Sequence, residues 1–524
     1  MNTYLGIELG STRIKAVLID KCGRPLATGG FNWENRFENG VWTYYLDEVW
    51  RGLQSSFSEL IADYKGKHGS APEISAIGIS AMMHGYLVMD KNDNQLAPFR
   101  TWRNTITGES ASELTKLFGF NIPQRWSIAH LHREVKRDEP HVKNIAFITT
   151  LAGYVHYKLT SEKVVGVGEA SGMFPIDSSV NDYNAEMVQK FDNLISGQQL
   201  SWKLLDIMPK VLGAGQNAGK LTAEGAKLLD PTGLLAAGIP LCPPEGDAGT
   251  GMVATNAVTE RTGNVSAGTS VFAMLVLEKQ LSKLYPEIDM VTTPAGKPVA
   301  MVHCNNCTSD LDVWVGLFGQ MLSKMGASAD KNTLYKTLYE SALSGDADCG
   351  GLVSINYLSG EHMTGFHEGR PIFIRTPDSN FNIENFMRSL LFSSVATLKI
   401  GMELLAQNEG VSLDIMLGHG GLFKTAGVGQ KLMAGALNIP VAVMESAGEG
   451  GAWGIALLAA FCANKDGGET LEEYLKNKIF AASSVNVIQP DPTDVKGFEQ
   501  YLDRYTFALN VERAAIENIA IRGE

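Results

Sequence analysis

The chain has 524 residues, beyond the ~250–300 at which a single core usually stops growing, so two domains are expected. Its 44% hydrophobic and 19% charged composition supplies ample core and excludes wholesale disorder. With 44 Lys and Arg against 57 Asp and Glu, the net charge of −13 argues against a nucleic-acid partner, but it leaves room for a phosphate site built from backbone N–H groups.

The opening residues, MNTYLGIELG, carry no basic region followed by an apolar one, so no signal peptide is expected. The longest strongly apolar stretch, 451–463, falls well short of the ~20 residues that span a bilayer, so no membrane partner is expected either. Six scattered cysteines, at 22, 242, 304, 307, 349 and 462, read as reduced thiols of a cytoplasmic protein.

In chain order, residues 4–9 and 14–19 are β-rich runs around Gly10-Ser11-Thr12-Arg13, which predicts a hairpin. A turn at 20–24 leads into another extended segment. Apolar spacings of three and four over 46–64 predict an amphipathic helix, and 74–80 reads as a buried strand running into Ala81-Met82-Met83-His84-Gly85. The hairpin pattern returns at 263–276, where Gly268-Thr269-Ser270 joins two apolar runs. Two such turns suggest a duplicated architecture with a boundary near residue 250. Downstream, 385–409 reads as a long helix, 413–417 as a short strand before Gly418-His419-Gly420-Gly421, and 452–463 as a helix of small residues. Alternating strands and helices make the class α/β.

Several segments could carry chemistry. A Gly/Ser/Thr turn can aim N–H groups and hydroxyls at a phosphate, although a hairpin needs the same residues for its own geometry. Lys15 follows within reach, or is simply a solvated strand residue. The run 213–221 imitates a phosphate loop, but its glycine spacing is wrong and no Ser or Thr follows Lys220, so it reads as a surface loop. Cys304-Asn-Asn-Cys307 has the spacing of a redox or metal pair without a second pair to complete it, so incidental thiols are favoured. Asp247, before a run of small residues, reads on position alone as a helix N-cap.

Taken together, these segments resemble the FGGY family of carbohydrate kinases, in order from about residue 3 to residue 462. The resemblance implies two actin-like (ribonuclease H-like) ATPase domains, 1–253 and 254–524, with an interdomain cleft. It makes Gly10, Ser11, Thr12, Arg13 and Lys15 the first phosphate loop, and Gly268, Thr269 and Ser270 the second. Gly420, Gly421 and Lys424 would form the adenosine site. Asp247 would be the catalytic base, with Glu8 and Asp247 holding Mg²⁺, directly or through water, beside ATP. Met83, His84 and Gly85 are similar to the sugar-contacting Met-His-Gly of xylulokinases; Trp102 and Asn104 fall in a further sugar segment, and Ala170-Ser171-Gly172 in the stretch that closes the pocket.

The chain departs from the family pattern at three places. Glu8 replaces the usual aspartate, Asn104 replaces an acid, and 130–143 lacks the usual tryptophan. The resemblance implies a small-molecule sugar substrate, D-xylulose first and L-ribulose or another ketose or polyol second, and leaves room for a homodimer. The rivals are an actin-like or chaperone-like ATPase without a sugar, and a thiol oxidoreductase based on Cys304 and Cys307.

Overall fold

The short turn at Gly10 folds the first twenty residues back on themselves. Strands Asn2–Leu9 and Arg13–Ile19 pair antiparallel with Leu9 opposite Ile14, and Pro25–Asn32 continues the meander. Glu73–Ala81 lies parallel to the first strand on its other side, and Glu245–Gly246 lies parallel to Glu73–Ala81. The computed structural model describes residues 2–444, 450–481 and 486–521. Contacts divide the chain into two units: Met1–Glu260 with Glu278–Val299 and Gly448–Ser483, and Arg261–Leu277 with Ala300–Ala447 and Ser484–Glu524.

In the first unit the two faces of the sheet do different things, because successive side chains of a strand point to opposite sides. Leu5, Ile7 and Leu9 enter a core with Leu53, Phe57 and Leu60 of the helix Leu46–His68. Gly6 and Glu8 share the other face, where the helix Gly450–Asn464 lies. A Cβ on Gly6 would stand 2.1 Å from the Ala452 carbonyl oxygen, and one on Gly78 would stand 2.6 Å from that of Ile455. Bare backbone therefore lets this helix sit directly on the sheet. The loop 213–221, expected at the surface, is half sunk: Ala218 and Leu221 are buried, and the Leu221 and Leu241 N–H groups donate to the Ile239 and Gly219 carbonyls.

The second unit repeats the opening motif. Thr262–Ala267 and Val271–Val276 form a hairpin with Ala267 opposite Val271, and Ile415–His419 lies parallel to the first of them. Pro298–Cys304 flanks one side of this sheet, and Val441–Val443 with Asn486–Ile488 extend the other. The strand expected at 413–417 begins two residues later. Just before it, Asp414 takes both the Nε–H and the Nη2–H of Arg261 at 3.0 and 2.6 Å, and its own N–H donates to the Arg261 carbonyl at 2.7 Å. Helix Ile383–Glu409 is long and apolar enough by length and composition to cross a membrane, yet the second unit's core buries most of it.

The Gly6 contact can be tested against a glycine that touches nothing. Gly66, inside the helix Leu46–His68, has no atom within 4 Å of its would-be Cβ. Gly6→Ala should destabilise the protein by about 1–3 kcal/mol through overpacking, whereas Gly66→Ala should stabilise it by up to about 1 kcal/mol. Thermal and denaturant unfolding of the two variants checks both signs.

Candidate functional site

The first turn is held by its carbonyl groups. The Trp33 indole N–H donates to the Gly10 carbonyl at 2.7 Å, the Tyr44 hydroxyl to that of Ser11 at 2.5 Å, and the Trp33 backbone N–H to that of Thr12 at 3.1 Å. Trp33 and Tyr44 stack at 4.1 Å, so one aromatic pair secures all three. The N–H groups of Ser11 and Thr12 take no partner among the described residues, and Thr12 and Arg13 are exposed. A turn whose acceptors are spent and whose donors are free suits an anion. Arg13 lies against Gly30, where a Cβ would stand 2.3 Å from its guanidinium. Lys15 sits directly opposite Glu8 in the hairpin, and its charge acts to lower the Glu8 pKa.

Glu8 lies at the start of the helix Gly450–Asn464, where its carboxylate accepts the Ala452 N–H at 3.2 Å. Burial first, and the Asp247 charge second, push its pKa up to about 7. Asp247 departs from the cap expected of it. Gly246 occupies the N-cap position of the helix Asp247–Ala254, and no side chain caps that end. The Asp247 carboxylate instead accepts the Met83 backbone N–H at 3.1 Å and that of Ala248 at 3.0 Å. It is reached by solvent, yet enough protein surrounds it that desolvation raises its pKa above the usual carboxylate value.

The hydrogen bond to Met83 ties Asp247 to the Met-His-Gly segment. His84 and Gly85 both have positive φ, 74° and 105°, a turn that only a constrained loop holds in a histidine. His84 is buried, and its Nδ1 lies 3.1 Å from the Gly172 carbonyl. Burial, with the Arg125 charge adding to it, holds its pKa well below the ordinary value. The imidazole is therefore neutral, and with Nδ1–H donating to Gly172 its Nε2 is left as an acceptor. Trp126 stacks at 6.4 Å from the His84 ring. Trp102 is 42% exposed and donates its indole N–H to the Ser11 hydroxyl at 3.1 Å. Asn104 is buried; its amide accepts the Trp42 N–H and donates to the Trp42 and Thr101 carbonyls, so it pins two backbone segments.

The second unit assembles its own set. Thr308 donates both its N–H and its hydroxyl to the Gly268 carbonyl, at 3.0 and 2.9 Å, and the Cys307 N–H donates to that of Thr269 at 3.0 Å. This turn too has its acceptors spent. Gly420, with φ 101°, crosses it so closely that a Cβ would stand 2.5 Å from the Ala267 carbonyl oxygen, and Gly421 and Lys424 follow at the surface. Cys304 and Cys307 are buried and free, and burial pushes both thiols up, away from the thiolate that redox chemistry uses.

Sequence reasoning missed Trp33, Tyr44, Trp126, Glu169 and the part played by Glu245. Of these, Glu245 carried a signal: it stands two residues before Asp247, and Gly166 and Gly168 are needed to admit its carboxylate, since a Cβ on either would lie 2.1 or 2.5 Å from it. Glu245 accepts the N–H groups of Gly168 and Glu169, and burial still pushes its pKa to about 8.

Models of the FGGY family of carbohydrate kinases match both parts of the chain, the N-terminal domain over residues 3–253 and the C-terminal domain over residues 263–463. A xylulose kinase of Haemophilus influenzae is 23% identical over 528 residues, covering 97% of this chain and 99% of the relative. Among solved structures, xylulose kinase from Rhodospirillum rubrum aligns with a TM-score of 0.79 at 17% identity, covering 98% of this chain and 100% of that one. Gluconate kinase from Lactobacillus acidophilus aligns with a TM-score of 0.78 at 17% identity, covering 99% and 100%. These likenesses show the fold, two actin-like ATPase domains.

The raised pKa of Glu8 has a consequence for stability. The folded state keeps the Glu8 proton up to about pH 7, whereas the unfolded chain releases it near 4.5. The stability this proton contributes is present in full below that lower value and lost as pH rises through 7. Glu8→Gln should therefore raise the melting temperature little at about pH 4.5 and progressively more toward pH 8. Melting curves of both proteins without nucleotide or metal check the trend.

Proposed function

Because the chain belongs to the FGGY family of carbohydrate kinases, we propose that it phosphorylates a ketopentose, D-xylulose first, with ATP as donor. The observation that carries this reading is the Met83 N–H to Asp247 hydrogen bond of 3.1 Å, which sets a carboxylate beside the Met-His-Gly segment. His84 Nε2, neutral and facing away from Gly172, accepts a hydrogen bond from a sugar hydroxyl. Asp247 aligns the attacking hydroxyl and takes its proton; the raised pKa makes it a better base than an ordinary carboxylate. Trp102, exposed beside Ser11, offers an apolar wall to the sugar.

The donor side follows from the turns. Phosphoryl transfer asks a protein mainly for positioning and charge stabilisation. The N–H groups of Ser11 and Thr12, and those of Thr269 and Ser270, serve phosphate oxygens, while Gly420, Gly421 and Lys424 lie where the adenosine is proposed. Glu8 and Asp247, two carboxylates close enough for one charge to raise the other's pKa, fit a hard divalent cation with oxygen ligands. When bound with ATP, Mg²⁺ supplies charge neutralisation on the phosphates. In this reading residues 1–253 hold the sugar and the first phosphate turn, and 254–524 the second turn and the adenosine. Six free cysteines fit a reducing, cytoplasmic compartment.

L-Ribulose or another ketose or polyol is the second reading, because Asn104 spends its amide on backbone and so loosens the inference about which sugar is held. A screen of ketopentoses, ketohexoses and polyols with Mg-ATP should give the highest kcat/KM for D-xylulose. Nucleotide hydrolysis indifferent to every sugar would instead favour a plain ATPase. Asp247→Asn should lower kcat by about 10²–10⁴-fold with nucleotide binding kept, and retention of more than about a tenth of kcat would contradict its role. His84→Ala should raise the sugar KM more than the nucleotide KM.

A further inference from the structure

Behind Asp247 lies a carboxyl group that this mechanism does not use. Glu169 is fully buried, and neither of its carboxyl oxygens has a hydrogen-bond partner among the described residues. The Thr150 hydroxyl sits close enough to temper its pKa but does not meet hydrogen-bond geometry with either oxygen. Leaving a buried carboxyl unpaired is costly, so one that remains so in a folded protein calls for a reason, a ligand or a part in catalysis among them.

The surroundings of Glu169 indicate where a partner would arrive. A Cβ on Gly246, the residue before Asp247, would stand 2.4 Å from Glu169 Oε2 and 2.8 Å from Met83 Cγ. On the other side, a Cβ on Gly172 would stand 2.6 Å from His84 Nδ1 and 2.7 Å from Met83 Cε. The Met83 side chain thus runs from the neighbourhood of the Glu169 carboxyl to that of the His84 ring, and it is itself only 6% exposed. Methionine is unbranched and rotates easily about three bonds, so it makes a movable cover.

We propose that Glu169 is a specificity-determining residue: rotation of the Met83 thioether uncovers its carboxyl, which then hydrogen-bonds a sugar hydroxyl near the one that Asp247 activates. The inference rests on the ketose-kinase reading above. Burial first, with the Glu245 and Asp247 charges adding to it, holds the Glu169 carboxyl well above the usual range. That shift favours the protonated form, which donates as well as accepts and adds no second full charge beside Asp247. A site built to pair a substrate hydroxyl rejects the analogue that lacks it, because its own polar group is then left unpaired.

The test compares wild type, Glu169→Gln and Glu169→Leu by kcat/KM on D-xylulose and its monodeoxy analogues. For one analogue, the wild type's preference for the parent sugar should shrink by about tenfold or more in Glu169→Leu and persist in Glu169→Gln, with the nucleotide KM unchanged in both. Wild-type discrimination in Glu169→Leu for every analogue would overturn the assignment. So would equal losses for sugar and nucleotide accompanied by a lower melting temperature. Should the Leu variant not fold, infrared difference spectra on adding D-xylulose decide. A protonated-carboxyl band should shift in wild type and not in Glu169→Gln, and no shift in wild type overturns the assignment. Failure of the wild type to phosphorylate any ketose overturns the substrate reading and this assignment with it; turnover with unchanged discrimination overturns this assignment alone.

Discussion

The first unit's site depends on how closely the helix Gly450–Asn464 approaches the sheet and the helix that begins at Asp247. Four glycines make that approach. Gly6 and Gly78 admit the helix to the sheet, Gly451 leaves room for the Glu8 carboxylate 2.1 Å from its would-be Cβ, and Gly454 lies against the Thr250 carbonyl, 2.0 Å from its own. A methyl group at Gly6, Gly78 or Gly454 would separate backbones that now touch, and one at Gly451 would displace the Glu8 carboxylate that accepts the Ala452 N–H. Geometry near the reacting groups is therefore set by residues that have no side chain.

That closeness is also the source of the electrostatics. Glu8, Asp247, Glu245 and Glu169 all have raised pKa values, and in each case burial is the largest cause. Withdrawing the Glu8, Glu245 and Glu169 carboxyl groups from water beside Asp247 costs stability, and a protein that only needed to be stable would not gather them in one unit. Their different partners explain their different parts. Glu245 is satisfied by two N–H groups and braces the segment Gly168–Glu169, Asp247 is anchored by Met83 yet open to solvent, and Glu8 sits at a helix start opposite Lys15. Perturbed titratable groups gathered in this way mark a candidate functional site.

Much of this was legible in the sequence because it is local. The runs 4–9 and 14–19 could only bury their apolar residues as a hairpin around Gly10, and the same holds for 263–276. The resemblance brought Asp247, His84 and the two turns to notice. What was not legible is what depends on contact across long separations. Nothing in the small-residue run 452–463 announces that it packs on Gly6, more than 440 residues earlier in the chain. Asp247 has a good N-cap residue's position in sequence, but the backbone places Gly246 at the cap and turns the carboxylate to Met83. Asn104 stands in a sugar-binding segment of the family pattern, yet Trp42, brought alongside by tertiary packing, takes its amide. The aromatic pair Trp33 and Tyr44, which holds the first turn, has no motif of its own.

The crowded carboxylate at position 8 is kept, on the proposed function, for chemistry and not for the fold. Single-turnover phosphoryl transfer from ATP to D-xylulose by Glu8→Gln tests it most directly, since glutamine keeps the volume and can still accept the Ala452 N–H. The expected rate lies at least about a hundredfold below wild type, in keeping with the loss of a charged group at a phosphoryl-transfer site. Transfer at close to the wild-type rate would contradict it.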